Sequence, residues 1–189
     1  MMWPWGHLAL GYLCYSLYRR FVAHRSPPGV AALALAFGTQ WPDMIDKPLA
    51  WSFSVLPNGR SLGHSLPIAV LVVPAVYVAA ARQNARGAAA AFGLGYLLHI
   101  LGDALYPLVD LNFYHASFML WPLVPPVEYE VEQSFAAHFR LLEPGPEFLF
   151  ETGLFVAALL AWRADGYPGL ATLRSWSLRA VRGVTGAES

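Results

Sequence analysis

Five apolar runs alternate with short polar connections along this chain. Each run is rich in alanine, leucine and valine, and charged residues, glycine or proline lie at its ends. Such runs are typical of buried or membrane helices, in which internal glycine and proline are tolerated. The pattern predicts helices over residues 5–18, 29–41, 65–81, 87–105 and 148–162. Most are shorter than the ~20 residues that cross a bilayer, so we expect protein cover or less apolar turns to complete them.

Two other segments have a different pattern. Residues 107–146 are rich in aromatic residues and proline, and we expect a long outer loop with short helices that covers one end of the bundle. Over residues 170–189, Arg174, Arg179 and Arg182 recur at helical spacing beside leucine and tryptophan, which predicts an amphipathic interfacial helix. The sequence shows no internal repeat, so residues 1–189 are predicted to form a single domain.

Composition identifies the class of protein. Hydrophobic residues make up 57% of the chain and charged residues 13%, against roughly 45–50% and about 25% in soluble domains. We therefore predict an all-α integral membrane bundle of about five helices plus a C-terminal interfacial helix. The net charge of +0 gives no indication of a nucleic-acid partner. Membrane lipids are the expected partners, and protein partners are left open.

Charge predicts how the bundle is oriented. With five spans, nine of the twelve basic residues fall on one side, including Arg19, Arg82 and Arg163. By the positive-inside rule that side is cytoplasmic. Ten of the twelve acidic residues fall on the opposite side, all except Asp165 and Glu188. The sequence thus predicts a multi-pass protein of the cell membrane whose polar residues gather at the extracytoplasmic end.

Histidines and aspartates at five separate places in the sequence belong to that outer end. His99 and Asp103 are spaced i, i+4, so on a helix they share a face. Imidazole nitrogen combined with carboxylate oxygen suits zinc, and also manganese or iron. We predict a divalent-metal site, with zinc preferred and one or two ions, whose candidate ligands are His7, Asp43, His64, His99 and Asp103.

Candidate catalytic residues lie in the same segments. Asp43 and Asp46 follow Pro42 just past the end of the second run, and Asp43 is the first choice for a general base, with Asp46 the second. Arg60 is a candidate for holding a phosphate oxygen, and Lys47 could share that role. Each group also has a structural interpretation, such as a turn cap or an ion pair.

The other histidines are interpreted structurally. His24 adjoins Arg25 on the basic side and is expected at the membrane interface. His115 and His138 lie in the long outer loop, where we expect surface histidines, with a supporting role or an additional metal as the alternative. Glu151, one turn into the fifth run, is a candidate for a supporting group or an additional ligand.

The order of the motifs resembles the family of inner-membrane-associated, metal-dependent hydrolases described as LexA-binding. The resemblance covers roughly residues 1–125 and rests on His7, Pro42-Asp43 with Asp46, Arg60-Ser-Leu-Gly-His64-Ser65, and His99 with Asp103. That family is distantly similar to zinc-dependent phospholipase C and the P1-type nucleases, helical enzymes that cleave phosphoesters. The resemblance implies that His7 binds one metal, that Asp43, His64 and His99 bind the other, and that Asp103 bridges them.

The chain departs from the family pattern at two places. Asp46 lies three residues after Asp43, where the family has a spacing of two, and the chain has no His-x-x-x-Glu pair for a third metal. The resemblance therefore implies a site for one or two ions.

These observations predict a membrane-bound, phospholipase C-like hydrolase that cleaves a phosphoester of a lipid or lipid-linked substrate with metal-activated water. Two alternatives stay open. One is a non-catalytic subunit of a membrane complex, in which the cluster binds a structural metal or a cofactor. The other is a metal transporter, which would need ligands near mid-helix and an exit on the basic side.

Overall fold

The computed structural model describes residues 2–129, 134–140 and 142–185, and the regular elements in these ranges are all helical. The helices are α1 (Pro4–Leu17), α2 (Gly29–Gly38), α3 (Trp41–Trp51), α4 (Leu66–Ala81), α5 (Arg86–Val109), α6 (Phe113–Ala116), α7 (Phe135–Arg140), α8 (Pro146–Ala164) and α9 (Leu170–Thr185). A π-helical turn, Tyr18–Val22, continues α1, and a 3₁₀ turn, Ser117–Leu120, follows α6. The predicted all-α class is confirmed.

Five of these helices, α1, α2, α4, α5 and α8, correspond to the five apolar runs. The predicted tail helix corresponds to α9, although the side chain of Arg182 and residues 186–189 lie outside the described part of the chain. Within the described residues, α5 alone is long and apolar enough to cross a membrane by length and composition, and α4 is a shorter apolar helix. The structure thus provides one candidate span where the sequence predicted five.

Helix α5 extends further than its sequence pattern predicted. It runs through Pro107 in its last turn to Val109, four residues past the predicted end at 105. His99 therefore lies near the middle of the helix rather than close to its end. Since α1, α2 and α4 all pack against α5, this position brings His99 into the protein interior, where it is fully buried.

Small residues allow α2 and α5 to cross closely. A Cβ added at Gly38 would lie 3.0 Å from the carbonyl carbon of Phe92, and one added at Gly95 would lie 3.0 Å from the amide nitrogen of Thr39. Glycine is common where two helix backbones approach this closely. The crossing holds Thr39, the C-cap of α2, against α5 one turn before His99.

Asp43 and Asp46 lie on a helix that the sequence analysis did not predict. Only two residues, Thr39 and Gln40, separate helix α3 from α2, and Pro42 lies in the first turn of α3, where proline is well tolerated. The i, i+3 spacing places both carboxylates on one face of this helix. They do lie just past the end of the second apolar helix, as expected, but on a further helix.

Candidate metal centre

Asp46 orients His64. Its carboxylate is fully buried and accepts hydrogen bonds from the backbone N–H groups of Ser61 (2.8 Å), Gly63 (2.7 Å) and His64 (3.2 Å). The same carboxylate lies 2.8 Å from His64 Nδ1. A carboxylate can only accept here, so Nδ1 carries the proton and Nε2 is left with a lone pair. The Asp46 carboxylate is thus held by four N–H groups and cut off from solvent, which favours an orienting role for Asp46 over that of a general base.

Thr39 orients His99 in the same way. The backbone carbonyl of Thr39 lies 2.7 Å from His99 Nδ1. A carbonyl oxygen has no proton to give, so Nδ1 of His99 is the donor and its Nε2 is also left with a lone pair. The close crossing of α2 and α5 at Gly95 sets this contact, because it holds Thr39 against the helix that carries His99.

The two free imidazole nitrogens face each other. His64 Nε2 and His99 Nε2 are 3.0 Å apart, and Asp43 Oδ1 lies 3.4 Å from the first and 3.8 Å from the second. Two lone pairs at this distance repel unless a positive charge lies between them. Ligand atoms bound to one tetrahedral zinc ion are about 3.3 Å from one another. The separations in this trio therefore fit three corners of a zinc site, and a proton shared between the rings is the simpler alternative.

Asp103 connects this trio to His7. Its Oδ2 lies 3.6 Å from His64 Nε2, and its Oδ1 lies 3.4 Å from His7 Nε2. His7, His99 and Asp103 form a second group whose donor atoms all lie within 4.8 Å of one another. Both ring nitrogens of His7 are buried and have no hydrogen-bond partner among the described residues. An unpartnered buried imidazole is costly, so His7 is suited to a further ligand.

Two features hold Asp103 and His7 in place. The backbone N–H of Met2 donates to Asp103 Oδ1 at 2.9 Å. Gly102 lets the His7 ring lie against α5, because a Cβ at this position would lie 3.0 Å from His7 Nδ1. The His7 ring stacks on that of His99, with 3.7 Å between the centroids.

Arg60 places a cation beside the cluster. Its Nε donates to Asp103 Oδ2 at 2.7 Å, and its guanidinium lies over the rings of Phe118 and Tyr129, 5.7 and 5.6 Å from their centroids. Arg60 Nη2 is buried and has no hydrogen-bond partner in the described part of the chain. That group is free to bind an anion such as a phosphate oxygen.

The cluster favours positive charge at His64. Burial lowers the pKa of His64, but hydrogen bonds with Asp43 and Asp46 outweigh this effect and raise it to about 9. Burial raises the pKa of Asp43, yet its hydrogen bond to His64 and the nearby positive charges, including Lys47, bring it well below its usual range. The shift of His64 means that its Nε2 takes up a proton at neutral pH when no metal is bound, whereas the shift of Asp43 reflects the positive charges that already lie beside it.

A groove of about 450 Å³ leads from the surface to Asp43, and we call it the outer groove. The ammonium group of Lys47 lies 2.6 Å from Asp43 Oδ2 at its floor. Its lining residues come from the start of α1, from α3 and from α7: Trp3, Pro4, Trp5, Gln40, Asp43, Met44, Lys47, Pro48, Phe135, His138 and Phe139. Because Asp43 borders the outer groove, an external molecule has a route to one edge of an otherwise buried cluster.

The structure thus brings together the five predicted ligands His7, Asp43, His64, His99 and Asp103, with the predicted catalytic candidates Asp46 and Arg60 beside them. His24 is exposed and belongs to neither donor group, which agrees with its structural interpretation. The expectation of a surface histidine was wrong for His138, because it is 8% exposed and lines the outer groove.

Sequence reasoning missed Thr39, whose contribution comes from its backbone and leaves no sequence signal. It also left the role of Glu151 open. This buried carboxylate accepts hydrogen bonds from the Trp3 backbone N–H and the Tyr106 hydroxyl, both at 2.9 Å. Glu151 therefore anchors the first residues of the chain beside the cluster and is not in either donor group.

Comparison with known proteins gives a family but no activity. A family model described as YdjM inner membrane protein matches residues 1–176. No curated protein and no solved structure matches the chain significantly. The family description supports the predicted inner-membrane location and mentions no reaction, so hydrolase activity and likeness to phospholipase C stay predictions. Because the match covers nearly the whole length, this chain belongs to the YdjM inner membrane protein family.

Proposed function

We propose that this protein is a multi-pass membrane hydrolase that uses a divalent metal, zinc in the first instance, to cleave a phosphoester of a lipid or lipid-linked substrate. The observation that carries the proposal is the convergence of His64 Nε2, His99 Nε2 and Asp43 Oδ1 at separations of 3.0 to 3.8 Å. Oriented imidazoles with their Nδ1 atoms held by an acceptor are the usual arrangement around a catalytic metal.

The helix surfaces support a lipid environment. Large apolar side chains point outward on several helices, including Val70 and Leu71 on α4, Leu101 on α5, and Val156 and Leu160 on α8, each more than half exposed. A soluble protein would seldom leave so much apolar area uncovered. The basic residues that follow α1 and α8 support a cytoplasmic location for the end opposite the cluster, and hence an extracytoplasmic metal site.

Each residue has a defined task in the proposed reaction. A divalent metal at this site would lower the pKa of water and polarise a phosphoryl oxygen. Arg60 Nη2 would bind a non-bridging phosphate oxygen. Water would attack phosphorus from the side of the outer groove, and its proton would pass to Asp43. The ester P–O bond would break, and the leaving oxygen would take a proton from water in the groove.

One observation favours the alternative of a non-catalytic subunit. His64, His99 and Asp103 are at most 1% exposed, and structural metal sites are typically closed whereas catalytic sites keep an open position. Asp43 is the member of the trio that borders the outer groove, with 12% of its side chain exposed. Whether that edge admits a substrate is what separates the two functions.

The transporter alternative receives less support. His99 does lie near mid-helix in α5, as a transporter would require. However, the core between the cluster and the basic end is formed by apolar groups such as Ala9, Leu35 and Ala91. Among the described residues, both groups of three or more candidate ligands lie in the cluster itself, and none lies between it and the basic end.

Elemental analysis of the purified protein is the first test. We expect bound zinc in wild type, and substantially less in His99→Ala and Asp103→Ala. Asp110→Asn is the matched control, because Asp110 is an exposed carboxylate at the C-cap of the same helix. Metal content that stays equal in all four proteins would exclude the metal site.

A turnover assay is the second test. Zinc-loaded protein would be incubated with a chromogenic p-nitrophenyl phosphodiester and with detergent-solubilised phospholipids. We expect release of the alcohol or head group by wild type, and strong loss of the rate in Asp43→Asn. Bound zinc without turnover on any phosphoester would favour the structural-metal subunit.

A further inference from the structure

The outer groove has the character of a site for an amphiphile. Its walls are mainly apolar and aromatic, and Met44 and Phe139 in them are 54% and 65% exposed. Polar groups are concentrated at one place, where Lys47 and Asp43 meet beside the metal-ligand trio. With a divalent metal at the trio, a ligand that matches this arrangement has one anionic end and a hydrocarbon part.

His138 adds an unused polar atom to this groove. Its Nε2 is buried and has no hydrogen-bond partner among the residues that the structure describes. The ring lies between those of Trp3 and Trp51, with centroid distances of 4.7 and 5.5 Å. These aromatic neighbours fix the direction of the imidazole. A buried ring nitrogen without a partner costs free energy unless a ligand supplies one.

We propose that the outer groove binds the phosphate head of a membrane amphiphile, and that His138 Nε2 donates a hydrogen bond to one of its phosphate oxygens beside Lys47. This inference rests on the proposed function, because it names the substrate class and adds a substrate-contacting residue to the same site. His138 belongs to neither of the two metal-donor groups, so its contribution is made to the substrate rather than to the metal.

The electrostatic surroundings of His138 support this role. Burial and the charge of Lys47 lower the pKa of His138 to about 4. The ring is therefore neutral at physiological pH and can donate from one nitrogen only. With Lys47, this arrangement offers one cation and one neutral donor to an anionic head. The apolar walls then accommodate the chain that follows the head.

The test is calorimetric titration of zinc-loaded, full-length protein in detergent. Dihexanoyl phosphatidic acid is the probe, with dihexanoylglycerol and inorganic phosphate as comparison ligands. We expect wild type to bind the phosphatidic acid clearly more tightly than either comparison ligand, since only that molecule carries both a phosphate and an apolar part. The protein variants are His138→Phe, which keeps the aromatic packing, and His138→Gln, which keeps an N–H donor.

Loss of a hydrogen bond to a charged group weakens binding by about 10-fold or more, and this is the loss expected for His138→Phe. His138→Gln should recover part of it. His24→Asn is the control, because it removes an exposed histidine from another part of the fold and tolerates the positive φ of 52° at that position. Its affinity for phosphatidic acid and the zinc content of all variants should equal those of wild type.

Three results would overturn the inference: equal affinity of wild type and His138→Phe for phosphatidic acid, equally tight binding of a comparison ligand, or loss of zinc from the His138 variants. These outcomes are separable from failure of the proposed function. Binding that depends on His138 without any phosphoester turnover would exclude the hydrolase and leave the groove assignment intact. Phosphoester turnover that is unchanged in the His138 variants would instead exclude the groove assignment and leave the hydrolase proposal intact.

Discussion

Asp46→Asn should separate an orienting carboxylate from a catalytic one. The substitution keeps the shape of the side chain and replaces one oxygen with an NH₂ group. In wild type both oxygens accept N–H groups, from the backbone of residues 61, 63 and 64 and from the His64 ring. Whichever way the amide is turned, at least one buried N–H then faces another donor, and the remaining hydrogen bonds lose the negative charge that strengthened them.

The magnitude follows from these contacts. A buried donor left without a partner costs about 1–3 kcal/mol, and the weakened charge-assisted bonds add to this, so we expect a total of about 2–4 kcal/mol. In a domain of this size that corresponds to a fall in Tm of about 5–15 °C. Because His64 is less well oriented, the zinc affinity should fall by about 10- to 100-fold. Thermal unfolding followed by tryptophan fluorescence measures the first effect, and competition with a zinc chelator measures the second.

A different pattern would refute the orienting role. If Asp46→Asn kept the Tm and the zinc affinity of wild type but lost phosphoester turnover, Asp46 would be the general base. Asp43→Asn is the informative comparison, since Asp43 supplies a donor atom of the trio and borders the outer groove. We expect the larger loss of zinc affinity in that variant. Asp110→Asn should leave both quantities unchanged.

Four other predictions can be tested with the same assays. Zinc at about 100 times its Kd should raise the Tm by about 5–10 °C, and a chelator should reverse the shift; an unchanged Tm would contradict metal binding. Gly102→Ala should lower zinc affinity, because its Cβ would lie 3.0 Å from His7 Nδ1; unchanged affinity would exclude His7 as a ligand. Lys47→Met should keep zinc but weaken phosphatidic acid binding, which the calorimetric titration measures. Burial raises the pKa of Asp165, but its hydrogen bonds, including that from Arg20, bring the pKa below the ordinary 3.8. Asp165→Asn should therefore lower the free energy of unfolding at pH 7. The difference in unfolding free energy from wild type should shrink as the pH falls below about 4.

The helices were largely predictable, and the reason is physical. In apolar runs rich in alanine and leucine, the backbone N–H and C=O groups must bond to one another, because the surroundings offer no other partners. All five runs accordingly form helices, namely α1, α2, α4, α5 and α8. Helix α3 was missed because its sequence, WPDMIDKPLAW, mixes charged residues with two prolines and has no apolar run. Its stability comes from tertiary contacts such as those of the buried Asp46, and these have no local signal.

The sequence predicted which residues form the cluster, but it did not predict the role of each residue in it. The distribution of charged residues placed His7, His64 and His99 at one end of the bundle. Burying ionisable residues in such an apolar chain costs free energy, so their clustering indicates a shared function. The partner of each imidazole was not predictable, because Thr39 acts through its carbonyl and Asp46 through the amides of a loop that folds around it. His138 escaped detection because its aromatic neighbours are far away in sequence.

Charge balance provides the strongest argument that the cluster binds a cation. Asp43, Asp46 and Asp103 contribute three negative charges, and Lys47 and Arg60 compensate two of them. If the histidines are neutral, one buried negative charge is left over, and an uncompensated buried charge costs several kcal/mol. A purely structural ion-pair network could be balanced by one proton on His64, but it would leave both buried ring nitrogens of His7 without a hydrogen bond among the described residues. A divalent ion bound by the cluster would turn the one excess negative charge into one net positive charge, which suits an anionic substrate, and it would give the His7 ring nitrogens a partner. For these reasons we favour a metal centre over a structural polar core.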